Sequence, residues 1–210
     1  MPGYLVGRTL LQILNMREPA FSICVYCGSK PGDQDIYTQC AQQVGQWIGQ
    51  HGGQLVYGGG RNGLMGTVAD ATLAAGGRVV GIIPQALVEK EWSHTECTEL
   101  HVVQTMHERK QMMAERADAF LAIPGGIGTL EEFFEAWTWR QLGYHNKPIG
   151  LLNLNGYYDT LLTFLESVVT RNFMTPWQME LVQVHDQALH LLPHLVQAAG
   201  LPTPFQSQAV

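Results

Sequence analysis

Pro124-Gly125-Gly126-Ile127-Gly128-Thr129-Leu130-Glu131-Glu132 sets three glycines and two adjacent carboxylates behind a short apolar run, Ala119 to Ile123. A run of that length after Asp118 reads as a buried strand. Leu130, Phe133, Phe134 and Trp137 then fall on one face of a helix. Glycine lets backbone N–H groups crowd a ligand where a Cβ would clash. The first amides of a helix have no intrahelical partner and point outward. Strand, glycine turn and helix start therefore make an anion cradle suited to phosphate. Glu131 and Glu132 lie one turn inside it. A carboxylate beside a bound phosphate repels it, so a glutamate there needs a reason, and chemistry on a sugar is one. A purely structural account stands beside this: Thr129-x-x-Glu132 fits a capping box with Thr129 as N-cap. On these residues alone it is at least as good.

Two further turns carry glycine. Gly58, Gly60 and Gly63 fit G-x-G-x-x-G, a weak signal here. A dinucleotide fold carries it after the first strand, with an acid ending the next strand. The strand after this loop, Arg78 to Ile83, ends in Pro84 without one, so NAD is not expected. The loop reads as a second close-approach turn, or as a tight turn whose glycines serve packing alone. Cys27-Gly28-Ser29-Lys30-Pro31-Gly32 lacks the full phosphate-loop spacing. Arg109 and Lys110 form the densest positive charge in the chain. A solvated helix face is the usual meaning of such a pair. Yet this helix, Met106 to Ala117, feeds directly into the central strand and must pack beside the cradle.

The elements that position these groups alternate. Strands are predicted at Phe21 to Tyr26, Leu55 to Tyr57, Arg78 to Ile83, Leu100 to Val103, Ala119 to Ile123, Pro148 to Asn153 and Leu181 to Val184. Helices are predicted at Tyr37 to Gln50, from the second glycine loop to Ala75, at Met106 to Ala117, through Trp137, at Tyr158 to Arg171, and at Ala188 to Ala198 with an interruption near Pro193. Gln85 to Glu99 reads as irregular or briefly helical, and Arg140 to Lys147 as a turn. The expectation is an α/β fold: one Rossmann-like, doubly wound domain with a mostly parallel sheet. Its ligand belongs beyond the carboxyl ends of the strands, where all three glycine loops lie.

Composition narrows the function classes. The chain has 210 residues and a net charge of −6, which disfavours a nucleic-acid surface. No apolar run is long enough to span a bilayer, and a signal peptide is not expected. Residues 1–18 read as an extension ahead of the fold, 19–200 as the domain and 201–210 as a tail. Cys24, Cys27, Cys40 and Cys97 are too few and scattered for a disulfide scaffold. Cys24-x-x-Cys27 sits in or at the end of a strand, where residues three apart face opposite sides. No second pair completes a zinc site. Reduced thiols in a cytoplasmic protein, with no metal and no cofactor, are expected.

Cys27-Gly28-Ser29, Tyr57-Gly58-Gly59-Gly60 with Gly63-Leu64-Met65-Gly66, Met106-His107-Glu108-Arg109-Lys110 and Pro124-Gly125-Gly126-x-Gly128-Thr129-x-x-Glu132 together resemble the "lonely guy" family of cytokinin riboside 5′-monophosphate phosphoribohydrolases, sequences often labelled lysine decarboxylases. Leu142 to Pro148 and Gly156-Tyr157-Tyr158 extend the likeness, which covers Phe21 to His194. It implies a homodimer that hydrolyses a nucleoside 5′-monophosphate to free base and ribose 5-phosphate. By motif, Arg109 and Glu132 match the catalytic pair. Glu91, Lys110, Gly126 through Glu132 (Gly126, Ile127, Gly128, Thr129, Leu130, Glu131) and Thr138 match substrate contacts, with Gly28, Ser29, Gly59, Gly60, Met65 and Gly125 joining them from the loops. Lys30 departs from the pattern by replacing a small residue after Ser29.

Breaking an N-glycosidic bond passes through an oxocarbenium-like state. A carboxylate near C1′ would stabilise that charge and orient or deprotonate water; this role is assigned to Glu132. Arg109 could meet phosphate, base or Glu132. A decarboxylase would need pyridoxal phosphate and a Schiff-base lysine, for which Lys30, Lys90, Lys110 and Lys147 are unpersuasive. The same fold also admits a non-catalytic nucleotide carrier or a deoxyribosyl-transfer enzyme.

Overall fold

The computed structural model describes residues 18–88 and 93–202. In chain order the elements are β1 (Ser22–Tyr26), α1 (Asp35–Gln50), β2 (Gln54–Tyr57), α2 (Gly63–Ala74), β3 (Arg78–Pro84), α3 (Gln85–Val88), β4 (Glu99–Val103) and α4 (Met106–Glu115). They continue with β5 (Ala119–Ala122), α5 (Ile127–Gln141), β6 (Ile149–Leu152), a 3-10 turn (Leu154–Gly156), α6 (Asp159–Thr170), α7 (Pro176–Glu180), β7 (Val182–His185) and α8 (Ala188–Ala198).

The strands form one seven-stranded sheet in the order β4-β3-β2-β1-β5-β6-β7. Every pairing is parallel. β1, β2, β5 and β6 are buried at every residue. That is why they read as continuous apolar runs, since a parallel sheet is covered on both faces. Side chains still alternate across it. Ile23, Val25, Leu121 and Ile123 pack with α1, α2 and α8. Cys24, Tyr26, Phe120 and Ala122 pack with α4, α5 and α6. Cys24 and Cys27 thus belong to opposite cores, and both thiols are free. Among the described residues no helix is long and apolar enough to cross a membrane.

Several local expectations give way. The capping box at Thr129 and Glu132 does not form. α5 starts three residues earlier than that box requires, with Gly126 as its N-cap at φ −92° and ψ −156° and no side-chain cap. Thr129, now inside the first turn, is buried. The box forms instead at α4, where Thr105 Oγ1 accepts from the Glu108 amide at 3.1 Å and Glu108 Oε2 accepts from the Thr105 amide at 3.3 Å. α8 runs unbroken through Pro193. The carbonyl left without its amide partner belongs to Leu189, which is exposed. Arg140, placed in a turn by sequence, lies within the last turn of α5. Finally, α7 is absent from the sequence expectation, although Thr175 before Pro176 at N1 is a good helix start.

Candidate active site

The strand order reverses between β1 and β5. The chain moves outward from β1 to β4 on one side, then returns to place β5 on the other. The loops leaving two strands at such a point diverge, and the crevice between them is the usual ligand site of an open α/β sheet. Here those loops are Cys27 to Gln34 and Ile123 to Gly126. The Gly28 amide donates to Pro124 O at 3.2 Å, and the Leu64 amide at the start of α2 donates to Gly28 O at 3.0 Å. Backbone bonds thus knit all three glycine loops together. A cleft of about 640 Å³ opens above the junction.

One wall is the start of α5. Its first backbone bond runs from the Leu130 amide to Gly126 O at 3.1 Å, so the amides of Ile127, Gly128 and Thr129 precede the ladder. A Cβ built on Gly126 or Gly128 would meet nothing within 4 Å. Gly125 behind them is packed against Thr129 and Gly28. The turn is steadied by the Tyr157 hydroxyl, which donates to Gly125 O at 2.7 Å. Tyr37 meets Tyr157 edge-on at 5.6 Å.

Arg109 is buried at 5% exposure, which excludes the solvated-face alternative and fits a helix packed beside the cradle. Its Nε donates to Ile82 O at 3.1 Å and its Nη2 to Gly58 O at 2.7 Å. The guanidinium fills the space where Gly58 would carry a Cβ. Carbonyls at the ends of β2 and β3 thereby aim a cation into the cleft, and they offset part of the cost of taking a charge out of water. Glu132, half-buried, lines the same cleft. Its field reaches the end of β1: burial pushes the Cys24 and Cys27 thiols far up, and the Glu132 charge pushes both further. Arg109 pulls Cys24 the other way.

Of the residues expected from sequence, Gly28, Ser29, Met65, Arg109, residues 125–129, Glu131 and Glu132 line the cleft together. Gly59, Gly60, Lys110, Leu130 and Thr138 do not line it. Gly59 packs against Ile82, Ile83 and Leu100, and Gly60 bridges Ser93. Leu130 packs into the core beneath α5, and Thr138 is exposed. Lys110 Nζ is held by Glu131 and, at 2.9 Å, by Glu135. Burial alone would lower its pKa, but the two carboxylates outweigh that and raise it. Glu91 lies outside the described residues, as does nearly all of the N-terminal extension. Sequence reasoning gives no site role to Tyr37, Tyr157, Met106 or Leu87, which also line the cleft. Tyr157 follows a turn-forming Asn155-Gly156 pair and falls in the Gly156-Tyr157-Tyr158 stretch of the likeness, and neither signal assigns it a place in the cleft. No group of three metal-ligating side chains occurs among the described residues.

Residues 65–195 match the family model described as "Possible lysine decarboxylase". A cytokinin riboside 5′-monophosphate phosphoribohydrolase of Rhodococcoides fascians is 52% identical over 156 residues, 74% of this chain and 79% of the relative. A probable enzyme of that name from Oryza sativa subsp. japonica is 43% identical over 90% of this chain and 76% of its own length. An Arabidopsis thaliana enzyme of that name is 44% identical over 82% of this chain and 80% of its own. Among solved structures, the Moco carrier protein of Chlamydomonas reinhardtii superposes with a TM-score of 0.65, covering 88% of this chain and 99% of that one. At 21% identity it shares the fold. Family match and relatives coincide on the stretch that carries Arg109, the open start of α5 and Glu132, and the chain belongs to the cytokinin riboside 5′-monophosphate phosphoribohydrolase family.

Proposed function

We propose that this protein hydrolyses the N-glycosidic bond of cytokinin riboside 5′-monophosphates, and of AMP, releasing the free base and ribose 5-phosphate. One observation carries the proposal: an open helix N-terminus, a fixed guanidinium and a half-buried carboxylate share one cleft at the sheet's reversal point. The amides of Ile127, Gly128 and Thr129 hold the 5′-phosphate, with Gly28 and Ser29 closing the other side. Glu132 faces the anomeric carbon. It stabilises positive charge as the C1′–N bond lengthens and takes a proton from the attacking water. Arg109 opposes it as a fixed cation for the anionic parts of substrate and leaving group. The water oxygen ends on C1′, and the base departs with its bonding pair and gains a proton. Fixing the phosphate supplies remote binding energy that the reacting carbon uses.

The same reading makes the protein a cytoplasmic homodimer. The N-terminal residues of α4 and α5, Met106 and Ile127, are exposed beside the cleft at 41% and 85%, an apolar edge suited to a second copy. Chromatography of reactions with AMP, isopentenyladenosine monophosphate and the matching ribosides tests the activity. Free base from the monophosphates, and far less from the ribosides, is expected. AMP binding without base release would replace hydrolysis by a carrier role. Sedimentation would check the dimer.

A further inference from the structure

The mechanism leaves unused a second cluster, centred on a buried histidine and outside the cleft lining. His94 is 1% exposed, and its Nε2 lies 2.8 Å from Asp70 Oδ1 on α2. Its backbone amide donates to Gly59 O at 3.0 Å, and the neighbouring Ser93 bridges Gly60. The peptide before, at Gly58, accepts from Arg109 Nη2 at 2.7 Å. Gly59 itself sits at φ +75°, wedged against Ile82, Ile83 and Leu100. Adjacent carbonyls of one turn therefore face two clamps, Arg109 at one and the His94 backbone at the next.

We propose that Asp70 and His94 are positioning residues for Arg109: their pairing pins the Gly58–Gly59 turn from which Gly58 O aims the guanidinium into the cleft. The inference rests on the proposed hydrolysis, in which Arg109 is the fixed cation. Asp70 is largely exposed and touches no part of the cleft, so its influence on turnover must travel through His94. A misplacement of a reacting group by about 1 Å can cost on the order of 10²-fold in rate.

The clamp carries a pH signature. Titratable groups facing the His94 ring are Asp70 from α2 and Cys97 from its own loop, with Tyr57 of β2 behind Cys97 at 3.3 Å. The Cys97 contact raises the ring's pKa most, burial opposes it and Asp70 adds to it, giving about 9 against an unperturbed 6.5. A raised folded value means the clamp's charge-assisted strength is complete below about 6.5 and is lost as pH rises through about 9. Above that, a neutral ring still donates to Asp70, with roughly half the strength.

The test uses the full chain and three variants, His94→Ala, His94→Gln and Asp70→Asn, each with kcat and KM for AMP from pH 6 to 10. His94→Ala should lower kcat roughly 10-fold, while Gln, which can still donate to Asp70, should recover it to within about 3-fold. Wild-type kcat should fall through pH 9, and Asp70→Asn, removing a surface carboxylate, should move that fall to lower pH. Unchanged kcat in His94→Ala, or an alkaline limb indifferent to Asp70→Asn, overturns the proposal. If His94→Ala fails to fold, Asp70→Asn decides. If the wild type releases no base, hydrolysis has failed, not the clamp. The same variants are then compared by calorimetric AMP affinity across that pH range, where a matching alkaline loss supports the clamp and its absence overturns it.

Discussion

Two glycine-rich loops face each other across this sheet edge, and they use glycine for opposite ends. In the loop after β2 the space beside the Cα atoms is full. A Cβ on Gly58 would collide with Arg109, one on Gly63 with the Ser29–Lys30 backbone, and one on Gly66 with Arg61. In the loop after β5 the space beside Gly126 and Gly128 is empty. Composition is alike, but the first loop is glycine-rich so that protein can come close. The second is glycine-rich so that something else can. Both loops lead into a helix start without a side-chain cap, but only the open loop is followed by carboxylates in the cleft.

The sharpest way to break this comparison is at the carboxylate itself. Glu132→Gln is nearly isosteric, so circular dichroism and Tm should stay close to wild type. Turnover of AMP should fall about 10²- to 10⁴-fold, the range for removing a general base. Unchanged turnover would reduce Glu132 to a structural residue. Next comes Gly58→Ala, which puts a methyl where the guanidinium lies. Displacing a buried, paired arginine is worth roughly 3–5 kcal/mol when a partner is lost. Chemical denaturation should show a loss of that order, with kcat falling alongside. A variant as stable and active as wild type would mean the closed loop has slack that the contacts deny.

Much of the frame was legible because burial on both faces leaves strands uniformly apolar: Ser22–Tyr26 and Ala119–Ala122 could be read directly. The convergence of three loops followed from alternation of strands and helices alone. What stayed hidden depended on backbone acceptors. Arg109 could be placed beside the cradle by its helix, but nothing in a sequence marks Gly58 O and Ile82 O as its partners. Thr129-x-x-Glu132 looked like a cap because the pattern is local, whereas Gly126 starting the helix earlier is decided by conformation. Tyr157 lies 32 residues from the carbonyl it grips, and only the fold brings them together.

The open loop is tested most directly by Gly128→Ala. Gly128 is the second residue of α5, and an alanine there meets no neighbour within 4 Å. Glycine in a helix costs roughly 0.5–1 kcal/mol relative to alanine. The variant should therefore be slightly more stable in a denaturant titration, yet show KM for AMP raised about 10-fold by a methyl in the phosphate's path. Lower stability with unchanged KM would make this loop another packing turn like its neighbour.

The smallest effect is expected at Lys30, an exposed residue on the loop after β1 that lines the cleft facing α5. With Asp33, Glu131 and Glu132 also on the lining, the cleft is not strongly positive, and a second cation beside Arg109 matters to an incoming dianion. Exposed charges act mainly through screened, long-range attraction, with a Debye length of about 8 Å at physiological salt. Lys30→Ser, which puts a small neutral side chain there, should raise KM for AMP about 3-fold at low salt and leave kcat alone. The difference should vanish near ~0.5 M salt, where screening is short-ranged, whereas the Gly128→Ala effect, being steric, should persist. A salt-independent rise for Lys30→Ser would instead place the ammonium in direct contact with the phosphate, and the seam between the two loops would then belong to the binding site itself.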